Sequence, residues 1–155
     1  MRIYLKEVNI ENWREVVSLS VAENQKNYIE SNAYSLAESK FLKQWRPMAI
    51  YHNEELIGFT MYGYFENEKR VWLDRFMIHN RYQGKGYGKE SLKIIIKQIT
   101  LEYGCKEIYL SIFPKNTVGE KLYKKVGFKF NGERDVGGEL VMVLDVDKFK
   151  KDYAE

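Results

Sequence analysis

Arg81-Tyr82-Gln83-Gly84-Lys85-Gly86-Tyr87-Gly88 is a glycine-rich stretch between an apolar, strand-like run at residues 71–78 and a helical pattern that begins near Lys89. Glycine permits positive φ and close approach of a ligand, so the backbone N–H groups of such a turn can converge on one point. The helix that follows adds the partial positive charge of its N-terminus. Arg81, Lys85 and Lys89 surround the same turn with cationic side chains. The pattern predicts a site for a phosphate or pyrophosphate, and a plain tight turn with solvated basic residues is the alternative.

Two familiar phosphate motifs do not fit this stretch. A P-loop has four residues between its glycines and then Gly-Lys-Ser/Thr, and the dinucleotide fingerprint is Gly-x-Gly-x-x-Gly. Gly84, Gly86 and Gly88 are instead spaced by two. The order Arg81-x-x-Gly84-x-Gly86 resembles the acetyl-CoA pyrophosphate loop of the GNAT family of N-acetyltransferases. That resemblance implies a set of acetyl-CoA-binding residues in the loop, namely Arg81, Gln83, Gly84, Lys85, Gly86, Tyr87, Gly88 and Lys89.

Composition and charge limit the class of protein. A chain of 155 residues with 45% hydrophobic and 15% aromatic residues predicts one folded domain over residues 1–155 with a filled core. No apolar run approaches the roughly 20 residues that span a bilayer, and the single cysteine fits a reducing compartment, so we expect a cytoplasmic protein without membrane contact. The net charge of +3 comes from mixed basic and acidic residues, which argues against nucleic-acid binding. No histidines or cysteines have metal-ligand spacing, so we expect no metal.

The order of predicted elements indicates a mixed α/β domain. Strands are predicted at residues 3–8, 48–51, 55–64, 71–78, 107–113, 128–132 and 140–146. Helices are predicted at residues 13–20, at 35–44 with Ser35 as cap and Glu38 completing a capping box, from about 89 to 104, and at 117–126. Together with the loop, this order resembles the GNAT fold over essentially the entire chain, a mostly antiparallel central sheet of about seven strands flanked by about four helices. Dimers are common in that family, and the apolar final strand offers an interface for a homodimer.

A second motif follows the fifth predicted strand. It reads Asn116, then Leu122-Tyr123-x-x-x-Gly127-Phe128, and the GNAT family has an Asn and a Tyr at the same spacing. By that resemblance Asn116 contacts the CoA arm and Tyr123 places its hydroxyl near the departing sulfur. Acyl transfer releases a thiolate there, and a phenol can protonate it. The alternative is that these side chains only fill the core.

Asp74 is an ionisable residue inside an otherwise apolar strand. Such a group is either turned to solvent or kept for a purpose. In polyamine acetyltransferases, an acidic residue at this place lies beside the acceptor amine, where it can hold the ammonium or take its proton directly or through water. The alternative is that Asp74 pairs with Arg75 or another surface charge. Side chains alternate along a strand, so we expect Asp74 and Arg75 to have separate partners.

Met77 and Ile78 come just before the loop, and the resemblance implies that their backbones matter. In the GNAT family the strand splays here and leaves N–H groups free to bind the pantetheine and polarise the thioester carbonyl. This role needs no particular side chain.

The N-terminal half is most similar to bacterial spermine/spermidine acetyltransferases, on the evidence of residues 23–38 and 61–64 and of Trp72. The resemblance implies a slot that holds a polyamine by charge pairing and cation–π contact. Its predicted residues are Glu23, Tyr28, Glu30, Tyr34, Glu38, Tyr62, Trp72 and Asp74. The expected reaction is direct acetyl transfer from acetyl-CoA to a primary amine in a ternary complex. The alternatives are another acceptor (a protein N-terminus, an amino acid or an aminoglycoside) and a non-catalytic sensor of acyl-CoA.

Overall fold

The computed structural model describes residues 2–154. Within them seven strands form one sheet: β1 (Ile3–Glu7), β2 (Arg46–His52), β3 (Glu55–Phe65), β4 (Arg70–Ile78), β5 (Glu107–Ile112), β6 (Lys129–Arg134) and β7 (Leu140–Asp145). The α-helices are α1 (Trp13–Ser18), α2 (Asn32–Phe41), α3 (Tyr87–Tyr103), α4 (Thr117–Val126) and α5 (Val146–Asp152). Two short 3-10 helices lie at Glu23–Tyr28, called the 23–28 segment below, and at Asn80–Tyr82.

The strand order in the sheet is β1-β2-β3-β4-β5-β7-β6. All neighbouring strands are antiparallel except β4 and β5, which are parallel. The predicted mixed, mostly antiparallel sheet of seven strands is therefore confirmed. The final strand β7 pairs with β5 on one side and β6 on the other, and Val141, Met142 and Leu144 on it are buried. Both backbone edges of β7 are therefore paired inside the sheet, and the homodimer stays a prediction.

Two helix predictions need correction. The cap of α2 is Ser31, whose side chain accepts a hydrogen bond from the backbone N–H of Tyr34 at 3.1 Å, so the helix starts earlier than Ser35 predicts. The last predicted strand ends at Asp145, whose carboxylate accepts from the N–H of Lys148 at 3.1 Å and caps a fifth α-helix. A short polar side chain at a helix start satisfies an otherwise unpaired N–H, which is why each helix begins where it does.

The main core lies between the sheet and α3. Leu92, Ile95, Ile96 and Ile99 lie on one face of α3 and are completely buried against apolar side chains of the sheet. Burial of four large aliphatic side chains stabilises the fold by several kcal/mol, at about 1.5–3 kcal/mol each. This packing fixes the N-terminus of α3 and therefore the glycine-rich loop that precedes it.

A bulge in β4 sets the direction of Asp74. The register of β4 with β3 pairs Arg75 with Met61 and Leu73 with Tyr62, so Asp74 has no residue opposite it on β3. A residue inserted in this way disturbs the alternation of side chains along a strand. The guanidinium of Arg75 consequently donates a hydrogen bond to the carboxylate of Asp74. The expectation that these neighbours point apart is wrong for this reason.

Candidate active site

The site begins where β4 and β5 part. Their register holds a single pair, Trp72 with Tyr109. Beyond that pair a cavity of about 490 Å³ lies between the two strands, lined by residues 74–78 of β4 and by residues 111–113. Parallel strands that separate in this way leave a cleft at the centre of a sheet, where a ligand can reach backbone groups. Met77 and Ile78, whose backbones are expected to bind the pantetheine, lie on its wall.

Further elements close the cavity. The 23–28 segment contributes Tyr28, whose ring packs against Phe113 with centroids 6.2 Å apart, and Glu30 follows it. The helix α4 contributes Asn116 and Tyr123. The cavity thus collects ten of the residues that the sequence predicts for the site, namely Tyr28, Glu30, Asp74, Met77, Ile78, Gln83, Gly84, Gly88, Asn116 and Tyr123.

The glycine-rich loop has the geometry of an anion cradle. Gly84 and Gly86 have φ of 75° and 86°, a conformation that side chains other than glycine rarely adopt. The backbone N–H groups of residues 84–89 donate no hydrogen bond within residues 2–154 and lie at the N-terminus of α3. Arg81, Lys85 and Lys89 are exposed and make no ion pair with any described residue. Free N–H donors, the helix dipole and three unpaired cations together favour a pyrophosphate.

Asn116 caps α4 through its side chain. Its Oδ1 accepts a hydrogen bond from the backbone N–H of Gly119 at 3.0 Å. A Cβ on Gly119 would lie 2.6 Å from Nδ2 of Asn116, so a larger residue at position 119 would require this amide to shift. Leu122 and Tyr123 on the next turn then line the cavity.

Tyr123 presents an unpaired phenol to the cavity. Its ring packs edge-on against Phe128 at 5.8 Å, while its hydroxyl makes no hydrogen bond within the described part of the chain. Burial raises the pKa of the Tyr123 phenol, which therefore stays protonated throughout the physiological range. A phenol that lines a cavity without an intramolecular partner is free to meet a bound ligand, and groups with shifted pKa values in a cavity are often kept for chemistry.

Asp74 lies on the cavity wall with a raised pKa. Burial raises the pKa of its carboxyl to about 6, and the adjacent Arg75 guanidinium opposes that shift. The carboxylates of Glu38, Asp135 and Glu30 raise it further. The pairing with Arg75 that the sequence leaves as an alternative is therefore present, yet the carboxyl faces the cavity and titrates near neutrality. A group with these properties can bind an ammonium ion or accept its proton.

Glu139 is a site residue that sequence reasoning missed. It precedes β7, lines the cavity, and has a pKa raised to about 7 by burial, by the neighbouring Asp135 and by Asp74. The turn that carries it is held by Oδ1 of Asp135, which accepts from the N–H groups of Gly137 and Glu139 at 2.9 Å each. Asp135-x-Gly137-Gly138 is a turn signal, but nothing in the sequence shows that this hairpin reaches back to β4.

Several predicted substrate residues lie outside the cavity. Glu23 forms an exposed pair with Lys26 at 2.7 Å. Tyr34 projects from α2 and is largely exposed. Glu38 holds Arg75 at 3.3 Å and thus acts on the cavity through it. In the loop, Arg81, Lys85, Gly86, Tyr87 and Lys89 surround the cavity without lining it.

Two aromatic residues of the predicted slot also lie outside the observed cavity. Trp72 donates its indole N–H to Glu68 at 2.6 Å and packs beside Tyr109. Tyr62 is completely buried on the α3 side of the sheet, where its hydroxyl donates to the carboxylate of Glu102 at 2.6 Å. The prediction that Tyr62 lines the substrate slot is therefore wrong, because its side chain points from β3 into the core.

This placement makes Tyr62→Phe a test of stability and not of binding. Loss of a buried hydrogen bond to a carboxylate costs about 1 to 3 kcal/mol. We expect the free energy of unfolding in urea to fall by that amount, while the KM for the acceptor amine that the sequence predicts stays within twofold. An unchanged unfolding curve together with a raised KM would return Tyr62 to the binding site.

Comparison with known proteins identifies the family. The sequence profile of the acetyltransferase (GNAT) family matches residues 12–128. A spermine/spermidine N(1)-acetyltransferase from Bacillus subtilis (strain 168) is 45% identical over 152 residues, which cover 94% of this chain and 100% of that protein. The chain therefore belongs to the GNAT family, and the predicted enzyme class, an acetyl-CoA-dependent N-acetyltransferase, is confirmed.

Two solved structures show the same fold. A spermidine N-acetyltransferase from Vibrio cholerae in complex with CoA and spermine has a TM-score of 0.73 at 18% identity, with 95% of this chain and 97% of that chain covered. An aminoglycoside acetyltransferase in complex with coenzyme A has a TM-score of 0.81 at 15% identity, with 99% and 100% covered. At these identities the likeness concerns the fold alone.

Residues 2–154 contain neither a membrane-spanning helix nor a cluster of metal-ligating side chains. Between residues 2 and 154, no helix has the length and apolar character required to cross a bilayer. In this part of the chain, no three His, Cys, Asp or Glu side chains form a group that could hold a metal ion.

Proposed function

We propose that the protein acetylates a primary amine of a polyamine such as spermine or spermidine, by direct attack of the amine on acetyl-CoA in a ternary complex. The observation that carries this proposal is that Asp74, which can accept a proton, and Tyr123, which can donate one, line the same cavity. The B. subtilis relative, similar over its whole length, bears a name that agrees with this substrate class. The fold shared with an aminoglycoside enzyme supports no particular acceptor.

The proposed reaction needs three proton transfers: two protons leave the nitrogen and one reaches the sulfur. An ammonium cannot attack a thioester, so Asp74 accepts its proton, directly or through water. The free amine then forms a bond to the thioester carbonyl carbon while the carbon–sulfur bond breaks. Tyr123 donates its proton to the departing thiolate, and the acylated nitrogen loses its remaining excess proton to the Tyr123 phenolate, directly or through water, which restores the phenol. The loop at residues 84–89 and the amide of Asn116 hold the CoA portion, and the products are an N-acetyl amine and CoA.

The electrostatics of the cavity suit a polycation. Glu30, Asp74 and Glu139 line one cavity, and Asp135 adds negative charge beside them. A second ammonium on the same molecule would lower the cost of keeping these carboxylates ionised and close together. Acetylation removes one positive charge, so the product binds the acidic lining less tightly and can leave.

The test of this function is thiol release from acetyl-CoA. The acceptors are spermine, spermidine, putrescine, lysine, an aminoglycoside and a generic peptide at equal concentration. We expect the highest kcat/KM on spermine or spermidine. Faster turnover on the aminoglycoside or the peptide would replace the proposed acceptor, and CoA binding without turnover on any amine would make the protein a sensor.

The pH dependence of kcat/KM for spermidine provides a further prediction. The pKa is about 6 for Asp74 and about 7 for Glu139, and both carboxyls must be ionised to hold the substrate. The ammonium groups of the substrate stay charged below about pH 9. We therefore expect kcat/KM to rise from about pH 5.5 to 8, since it reports groups of the free enzyme.

The variant Glu139→Gln distinguishes the contributions of Asp74 and Glu139 to this pH profile. In this variant only Asp74 titrates, so the rise should shift to lower pH and follow a single proton. A profile identical to that of the parent protein would show that the ionisation of Glu139 does not affect substrate capture.

A further inference from the structure

One side chain of the glycine-rich loop, that of Gln83, joins the loop to two other walls of the cavity. The Nε2 group of Gln83 donates to the Oε1 of Gln25 at 2.9 Å and to the backbone carbonyl of Ile78 at 2.9 Å. Gln25 belongs to the 23–28 segment, and Ile78 ends β4 where it parts from β5. Both donor positions of this amide are thus used to join the loop, the strand end and the acceptor-side segment.

A second pair of hydrogen bonds joins the chain just before the 23–28 segment to the chain just before the glycine-rich loop. The backbone N–H of Ser20 donates to Nδ1 of His79 at 3.0 Å, and the N–H of Asn80 donates to the carbonyl of Ser20 at 2.8 Å. Ser20 leads into the 23–28 segment, while His79 and Asn80 lead into the loop. These bonds hold the entrance of the segment, and the Gln25–Gln83 bond holds its middle.

The 23–28 segment has little packing of its own. It is a 3-10 helix with no buried residue and no side-chain cap. Short 3-10 helices have poor hydrogen-bond geometry, and segments with few buried contacts open at low free-energy cost. Two contacts tie the segment itself to neighbouring elements across the cavity, namely Gln25 with Gln83 and Tyr28 with Phe113.

We propose that Gln25 is a positioning residue that couples the acetyl-CoA loop to the acceptor side of the cavity. Occupation of the loop by a pyrophosphate restricts the backbone that carries Gln83. Through the amide–amide bond, this restriction also holds the 23–28 segment, with Tyr28 and the adjacent Glu30, against the cavity. Such coupling is reciprocal, so CoA tightens amine binding by the factor by which the amine tightens CoA binding. The acceptor half of this inference rests on the proposed function.

Amide hydrogen exchange with CoA as the only ligand tests the coupling without any amine. In the parent protein we expect CoA to slow exchange across residues 23–30 by about 3–10-fold, the range that one neutral hydrogen bond supplies. In Gln25→Ala this protection should be lost, while the Kd for CoA stays within about twofold. Asn24→Ala is the matched control, because Asn24 lies on the same segment, is exposed and does not line the cavity. It should retain the protection.

Titrations with spermidine then measure the coupling factor. CoA should tighten spermidine binding by about 3–10-fold in the parent protein and in Asn24→Ala, and by no measurable factor in Gln25→Ala. Gln83→Ala should abolish the same factor, and the double variant should lose nothing more. Full protection of residues 23–30 in Gln25→Ala, or none in the CoA-bound parent, would overturn the proposal. A protein that acetylates no polyamine would remove the proposed function alone, because the exchange result with CoA still decides the coupling.

Discussion

Replacing Tyr123 with Phe is expected to lower kcat by about 100- to 10,000-fold, the range that general acid catalysis supplies. The change removes only the hydroxyl, which lines the cavity without a hydrogen-bond partner in residues 2–154. The ring keeps its edge-on contact with Phe128. Because this hydroxyl makes no hydrogen bond to the described residues, its loss should leave the free energy of unfolding nearly unchanged. Steady-state kinetics with spermidine and urea unfolding measure the two effects separately.

Tyr109→Phe is the control for this variant. Its hydroxyl donates to Glu107 at 2.9 Å outside the cavity, so its removal should leave kcat within about twofold. The Kd for CoA should be unchanged in both variants, since the proposed role of Tyr123 concerns the departing sulfur. A Tyr123→Phe protein with parental kcat would remove Tyr123 as the acid and leave the protonation of the thiolate to water.

The backbone conformation of the glycine-rich loop and the buried face of α3 could be predicted from the sequence, because both depend on residues that are adjacent in the chain. Gly84 and Gly86 favour positive φ by themselves, and the apolar spacing of Leu92, Ile95 and Ile99 predicts a buried helix face directly after them. Both features depend on neighbours within a few positions, and the structure agrees with them. The same holds for the order of the strands along the chain.

The acceptor side could not be predicted as well because its determinants are distant in sequence. The direction of Asp74 depends on a bulge, in which β4 has one more residue than β3 opposite it. Alternation along a single strand cannot reveal that insertion. Glu139 reaches the cavity through a hairpin 65 positions away in the chain, while Tyr62 faces the core and not the slot. A resemblance in residues 23–38 indicated the correct region but not which side chains point into it.

Asp74→Asn is expected to lower kcat/KM for spermidine by about 100-fold or more. Asparagine has nearly the same shape and can still accept the hydrogen bond from Arg75, so the bulge and the fold should be kept. It cannot take a proton from the ammonium, and it carries no charge to hold one. The loss should therefore appear in kcat as well as in KM, and the rise of kcat/KM that the Asp74 ionisation produces near pH 6 should disappear.

Asp147→Asn makes the same chemical change on the exposed surface. Asp147 lies in α5, where it pairs with Lys106 at 3.5 Å, and it does not line the cavity. Loss of its charge should therefore leave kcat and KM within about twofold. If Asp74→Asn raises KM but keeps kcat, Asp74 binds the ammonium and another group, such as Glu139 or water, accepts the proton. If neither constant changes, the ion pair with Arg75 is the whole role of Asp74. The cavity would then select its amine through Glu30 and Glu139, since these are the other carboxylates on its wall.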